Sequence, residues 1–280
     1  MTVKETMISV PGKQQLNWRR VLRSPLYDVG QFLLLIILLF WFFANSFEQI
    51  GYNWQWYQIP RYLYTCDERG FVIGPLLQGL KVTLQISAVS LILSFGVGLV
   101  TALLRLSSST VARSVARVYL EVSRNTPLLI QLFFIYFVMG PILGIDRFFA
   151  AVLALSLFEG AYVSEIIRSG IISIQRGQWE AAFSIGLNRW STYRLIILPQ
   201  ALRRILPPLT NQAISLIKDS SLVSVIAIYD LTMQAQALIS ETFLTFELWF
   251  VVALMYLMIT MILSCCVTLL ENKMKLSNSN

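Results

Sequence analysis

The chain has 280 residues, of which 56% are hydrophobic and only 13% charged, and its mean hydropathy is +0.66. A soluble domain of that make-up lacks the polar residues to cover its surface, so the composition excludes a soluble globular protein and places the chain in a membrane. The formal charge of +7 then reports membrane orientation rather than nucleic-acid binding, and the absence of histidine excludes imidazole metal ligands and His-based acid–base or nucleophilic catalysis.

A helix that crosses the hydrocarbon core takes about 20 apolar residues, so the chain has room for about six spans and no large soluble domain. Hydropathy, charges and prolines place them near residues 29–47, 79–104, 126–144, 148–168, 205–228 and 247–270. All are expected to be helical, because an open strand leaves backbone groups unsatisfied in lipid and no alternating ten-residue pattern suggests a barrel. A basic segment, 1–28, precedes the first span. The run Phe32–Ala44 is short, and a second reading is a cleaved leader ending near Ala44-Asn45-Ser46. The long stretch before it and its bulky Phe40-Trp41-Phe42-Phe43 end favour a retained span. The segment Glu48–Gly74 carries Trp54, Trp56, Tyr57, Tyr62 and Tyr64, residues suited to a membrane interface. In the next span, Gly96 and Gly98 are expected to allow close helix packing.

Arg124-Asn125-Thr126-Pro127 suits a helix start, with Asn125 or Thr126 as cap and proline in the first turn. Glu159 falls mid-span, where an ionisable group is costly and faces a cavity or a partner. Glu165 and Arg168, three apart near a helix end, are read as an ion pair of the inner gate region. The next stretch, 172–199, is polar and small-residue-rich between apolar segments. Its residues 178–185 make about two helical turns, with Glu180 expected near the N-terminus, where the dipole favours a carboxylate. Gly186 is expected as the left-handed cap, and Ala181 and Ala182 leave a thin helix open to close approach. By physics alone this is equally a capped surface helix. Pro199 and Pro207-Pro208 mark where the following span begins or bends.

In that span Asn211, Ser215 and Lys218 recur at i, i+4 and i+7, with Asp219 at the flank and Ser220-Ser221 after it. Two readings remain open: a stripe that lines a path or binds the charged ends of a solute, and a Lys218–Asp219 contact that packs an interface. The final span holds Cys265 and Cys266, which behave there as small hydrophobes; Cys66 lies in the external segment. The chain has no phosphate loop, so any ATPase belongs to another subunit. With the amino terminus inside, Lys4, Lys13, Arg19, Arg20, Arg23, Arg105, Arg113, Arg117, Arg124, Arg168, Arg176, Arg189, Arg194, Arg203, Arg204, Lys273 and Lys275 are cytoplasmic. Only Arg61, Arg69 and Arg147 are external, and this imbalance puts both termini and the 172–199 loop in the cytoplasm.

Glu180-Ala181-Ala182, then Gly186, then Ile196-Ile197-Leu198-Pro199 resembles the cytoplasmic loop signature of permease subunits of ATP-driven importers. Gly79–Leu84, Arg124–Phe133, Ala161–Arg168, Leu198–Arg203 and Ser215–Leu222 are similar to the polar amino-acid permeases of the histidine/glutamine/glutamate type. The likeness covers residues 75–275; residues 29–74, the first span and external segment, lie outside it. It implies an all-α integral membrane protein: a type I importer core of five helices, with one extra N-terminal span. It further implies polar amino-acid cargo, a second permease subunit, identical or homologous, and an external solute-binding protein, in a bacterial inner membrane. Two ATPase subunits with ATP and Mg would power alternating access, so the chain itself is no enzyme and holds no cofactor or metal. Glu180, Ala181, Ala182, Gly186, Leu198 and Pro199 are then the ATPase-coupling residues. Glu159, Asn211, Ser215, Lys218, Asp219 and Ser220 are candidates for the substrate path. Another small polar solute as cargo, and a secondary transporter with inverted repeats or broken helices in both halves, are the alternatives.

Overall fold

A computed structural model describes residues 25–67 and 70–276. The basic positions 4–23 and Arg69, used in the orientation census, lie outside them. The chain divides into one unit ending at Trp54 and another beginning at Gln55. The first contains α1, Pro25–Ile50, whose stretch Val29–Phe42 is an apolar helix shorter than the spans of the second unit.

The second unit opens with a 3-10 turn, Trp56–Gln58, a short turn of helix, α2 (Pro60–Leu63), and an antiparallel hairpin, β1 (Tyr64–Asp67) with β2 (Gly70–Ile73). Then follow α3 (Pro75–Leu106), α4 (Thr110–Asn125) and a span built of α5 (Leu128–Phe133), a π-helical turn (Phe134–Met139) and α6 (Gly140–Leu143). The long α7 (Arg147–Ile172) leads to the short α8 (Arg176–Ser184) and α9 (Arg189–Thr192). A π-helical turn, Tyr193–Ile197, runs into α10 (Leu198–Asp219), which tightens into a 3-10 segment, Ser220–Ile226. The unit closes with α11 (Leu231–Thr242) and α12 (Thr245–Leu276).

Three of these helices are long and apolar enough to cross a membrane, and two bent pairs raise the number to five. The pairs are Thr110–Asn125 with Leu128–Leu143, bent by 108°, and Arg189–Ile226 with Leu231–Thr242, bent by 47°. The first bend corrects the simple span expected at 126–144. Pro127 drives Thr126 into extended backbone, φ −111° and ψ 134°, and so stops α4 there. Neither Asn125 nor Thr126 caps the next helix, as the sequence suggests; Pro127 occupies that position without a side-chain bond. Asn125 instead donates to Glu121 at 2.8 Å, and the Thr126 hydroxyl donates back to the Val122 carbonyl. Helix α4 itself escapes a hydropathy scan because arginines interrupt its apolar residues.

Packing centres on α3 against α7. Buried Thr83, Ser87, Ser90, Ser94 and Gly98 give α3 a small-residue face that lets the two backbones approach closely. A Cβ on Gly98 would sit 2.5 Å from Val163 Cγ1, so only glycine fits. Gly96, grouped with it from the sequence, faces open space and has no such role. A second apolar cluster joins Ile59 and Tyr62 to Leu76, Leu231, Leu244 and Leu248. The Gln55 amide donates to buried Glu247 at 2.7 Å, so residues 55–63 are packed onto α11 and α12.

Candidate functional site

The loop between α7 and α10 carries an exposed, well-capped helix. Helix α8 ends in two bonds, Gly186 N–H to the Phe183 carbonyl at 3.0 Å and Leu187 N–H to the Ala182 carbonyl at 3.1 Å. This cap requires a left-handed residue, and Gly186 has φ +82°. Glu180, however, is not in the first turn: α8 starts at Arg176, and Glu180 pairs with that arginine at 3.0 Å on an exposed face. The start is displaced because Gln175, extended at ψ 138°, holds the cap position. Glu180 and Ala181 face solvent, whereas Ala182 is buried.

Three contacts tie the loop to α10 and the turn before it. The Trp179 and Tyr193 rings meet edge to face at 4.8 Å, Gln200 donates to Gln178 at 3.1 Å, and Arg204 donates to the Ser173 hydroxyl at 3.0 Å. Leu198 and Pro199 form the first turn of α10 and are exposed. Phe183, Ile185 and Trp190 of the same loop are large apolar residues exposed by 45%, 76% and 73%. Sequence reasoning passed over these three because single apolar residues in a loop carry no periodic signal.

The Glu165–Arg168 pair forms at 2.7 Å. Arg105, at the end of α3, pairs with the other Glu165 oxygen. A partner 60 positions away in sequence cannot be read from helical spacing. Deeper in the same helix, Glu159 is 1% exposed. One of its oxygens accepts from Gln212 of α10, the other has no partner among the described residues, and the Asp219 carboxyl lies beside it.

Helix α10 therefore presents two polar faces. Asn211, Ser215 and Lys218 line one cavity of about 400 Å³ with Thr260, Met261 and Ser264 of α12. Asp219 turns with Gln212 towards Glu159 instead, and Lys218 makes no ion pair among the described residues. Within the chain no Lys218–Asp219 ion pair forms among the described residues, as adjacent residues diverge by about 100° on a helix. Ser220 is buried and donates to the Ile217 carbonyl at 2.7 Å. Gln212 was missed because it sits one residue off the stripe that drew attention.

Residues 94–276 match the family described as binding-protein-dependent transport system inner membrane component. The chain belongs to this family. The glutamine transport system permease protein GlnP of Escherichia coli K12 is 44% identical over 204 residues, 72% of this chain and 93% of that protein. A probable glutamine ABC transporter permease protein GlnP of Bacillus subtilis 168 is 42% identical over 200 residues, 70% of this chain and 92% of its own. Among solved structures, an amino acid ABC transporter with histidines aligns with a TM-score of 0.68 at 39% identity, covering 71% of this chain and 94% of that one. The MetNI methionine ABC transporter, inward-facing, shares the fold with a TM-score of 0.59 at 20% identity, over 71% and 95% of the two chains. The permease is thus a transport subunit of an ABC importer, working with ATPase subunits and a binding protein, and not an enzyme. Its broken spans, a feature weighed for a secondary transporter, occur here within an importer permease.

Proposed function

We propose that the permease carries a polar amino acid, with glutamine the first candidate, inward across a bacterial cytoplasmic membrane by alternating access. The observation that carries this reading is the match to glutamine permeases across nearly their whole length. Six spans with both termini inside, residues 1–28 as a cytoplasmic segment and 29–74 as an added span and external segment complete the topology; the basic census supports it.

In this reading ATP and Mg bind only in two ATPase subunits, which dock on α8 at Glu180, Ala181, Ala182 and Gly186 and on Leu198 and Pro199. Phe183, Ile185 and Trp190 extend that contact. A second permease subunit completes the pathway, and an external binding protein delivers cargo. Glu159, Asn211, Ser215, Lys218 and Asp219 line the path, with Ser220 holding the end of α10; Glu165 with Arg105 and Arg168 steadies the inner gate. Co-expression with the ATPase and binding protein, reconstitution and an amino-acid panel test the proposal. Glutamine-stimulated ATP hydrolysis with uptake is the expected result; hydrolysis by the isolated permease, or indifference to every amino acid, overturns it.

A further inference from the structure

A cavity of about 420 Å³ opens where the end of α3 meets α4 and α7, lined by Arg105, Arg117, Glu121, Arg124, Asn125 and Tyr162. Its charge is unbalanced. Arg105 is paired with Glu165, and the Arg124 guanidinium lies over the Tyr162 ring, 5.8 Å from its centre. Glu121 accepts from Asn125, and Arg117 has no carboxylate partner among the described residues. Arg117 and Arg124, at i and i+7, share one face of α4 and both line this cavity with their guanidinium groups.

The other flank of α4 is apolar. Val111, Val115, Val118 and Val122 repeat at i, i+4, i+7 and i+11 and are exposed by 74%, 59%, 63% and 62%. Four bare β-branched residues in one stripe suit hydrocarbon, and a helix with valines on one side and arginines on the other fits the surface of a negatively charged leaflet. A soluble anion accounts for the arginines but leaves the valine stripe without a partner.

We infer that α4 lies in the cytoplasmic leaflet, its valines among acyl chains, and that Arg117 and Arg124 hold the phosphate of an anionic phospholipid in the cavity. Paired N–H donors suit a phosphate diester, and the ring of Tyr162 fixes the orientation of Arg124. The inference rests on the inward orientation proposed above. It gives the importer a lipid-sensing contact directly beside the Arg105–Glu165 pair.

The test uses the complete importer in nanodiscs of phosphatidylcholine with or without phosphatidylglycerol. Retained phosphatidylglycerol is counted by native mass spectrometry for wild type, Arg117→Gln, Arg124→Gln and the double variant. Both arginines are exposed, so neither substitution leaves a cavity in the packed interior. The expected result is about fivefold weaker retention for each arginine removed, with Val118→Asp weakening it as well. Retention in the double variant equal to wild type overturns the inference, and so does displacement of the lipid by millimolar inorganic phosphate, which makes the cavity a free-anion site. Because lipid is counted without transport, loss of glutamine uptake alone strikes the proposed cargo and leaves this contact standing.

Discussion

Substitution of Gly186 separates the geometry of the α8 cap from the bulk of the residue that supplies it. Nothing lies within 4 Å of a Cβ built at this position, so a side chain meets no clash. Its φ of +82° is the whole obstacle. An L-residue held in the left-handed region costs about 1–2 kcal/mol, asparagine less, and a β-branched residue more. Since 1–2 kcal/mol is a factor of about 5–30 in a two-state equilibrium, the capped loop should lose population in the order Gly186→Asn, Gly186→Ala, Gly186→Val. Gly186→Asp adds a negative charge beside the carbonyl end of α8 and costs about 0.3–1 kcal/mol more than its isostere asparagine. The assay is affinity of the purified ATPase for the reconstituted permease, with membrane insertion and melting of the spans as controls that stay unchanged. An order that follows side-chain size instead, or a valine variant that docks like wild type, refutes the reasoning and returns the stretch to an ordinary loop.

Gly98→Leu should lower the melting temperature in detergent steeply, because overpacking costs about 1–3 kcal/mol or more where Val163 already fills the space, whereas Gly96→Leu meets nothing within 4 Å and should melt like wild type. Arg105→Gln and Glu165→Gln should be non-additive in the same assay, with a coupling of at most ~1 kcal/mol because the pair is partly exposed; strict additivity would show that the two do not interact. Lys218→Ala or Asp219→Ala should change uptake, or its ratio to ATP hydrolysis, without loss of copurified ATPase, since charges at that depth cost a few kcal/mol that a purely packing role does not offset. Uptake and assembly falling together would assign both to packing.

Three of the expected spans, 79–104, 148–168 and 247–270, were legible because hydropathy over about 20 residues is a strong signal, and the left-handed cap because glycine at that spacing has one use. What the sequence hid has physical causes. Arginines at 113, 117 and 124 masked α4, although its valines recur with helical period. Pro127 stands at the cap of α5, one residue before the first turn in which the sequence places it, and it also ends α4, since its chief effect falls on the residue before it. Residues 59 and 62 pack onto α11 and α12 through contacts between positions far apart in sequence, which no local pattern encodes. The Glu159–Gln212 contact and the third member of the Glu165 cluster are long-range in the same way.

The two ends of the candidate site are joined by one helix rather than by a chain of loops. Trp179, Gln178 and Ser173 of the loop all engage Tyr193, Gln200 and Arg204, at the start of α10 or in the turn before it. Lys218 lies nineteen residues beyond Pro199 on α10, about 28 Å along a helix rising 1.5 Å per residue. Pro207 and Pro208 interrupt it, since neither can donate the bond an α-helix runs to residues 203 and 204. In the proposed reading, a pull on α8 would reach the Glu159 and Lys218 faces along this helix, with the two missing backbone bonds as its weakest point. Replacing both prolines with alanine should stiffen that point, leaving ATPase docking intact while changing how much uptake accompanies each round of hydrolysis. An unchanged ratio of uptake to hydrolysis would show that α10 moves as a rigid body and that the prolines serve only its packing.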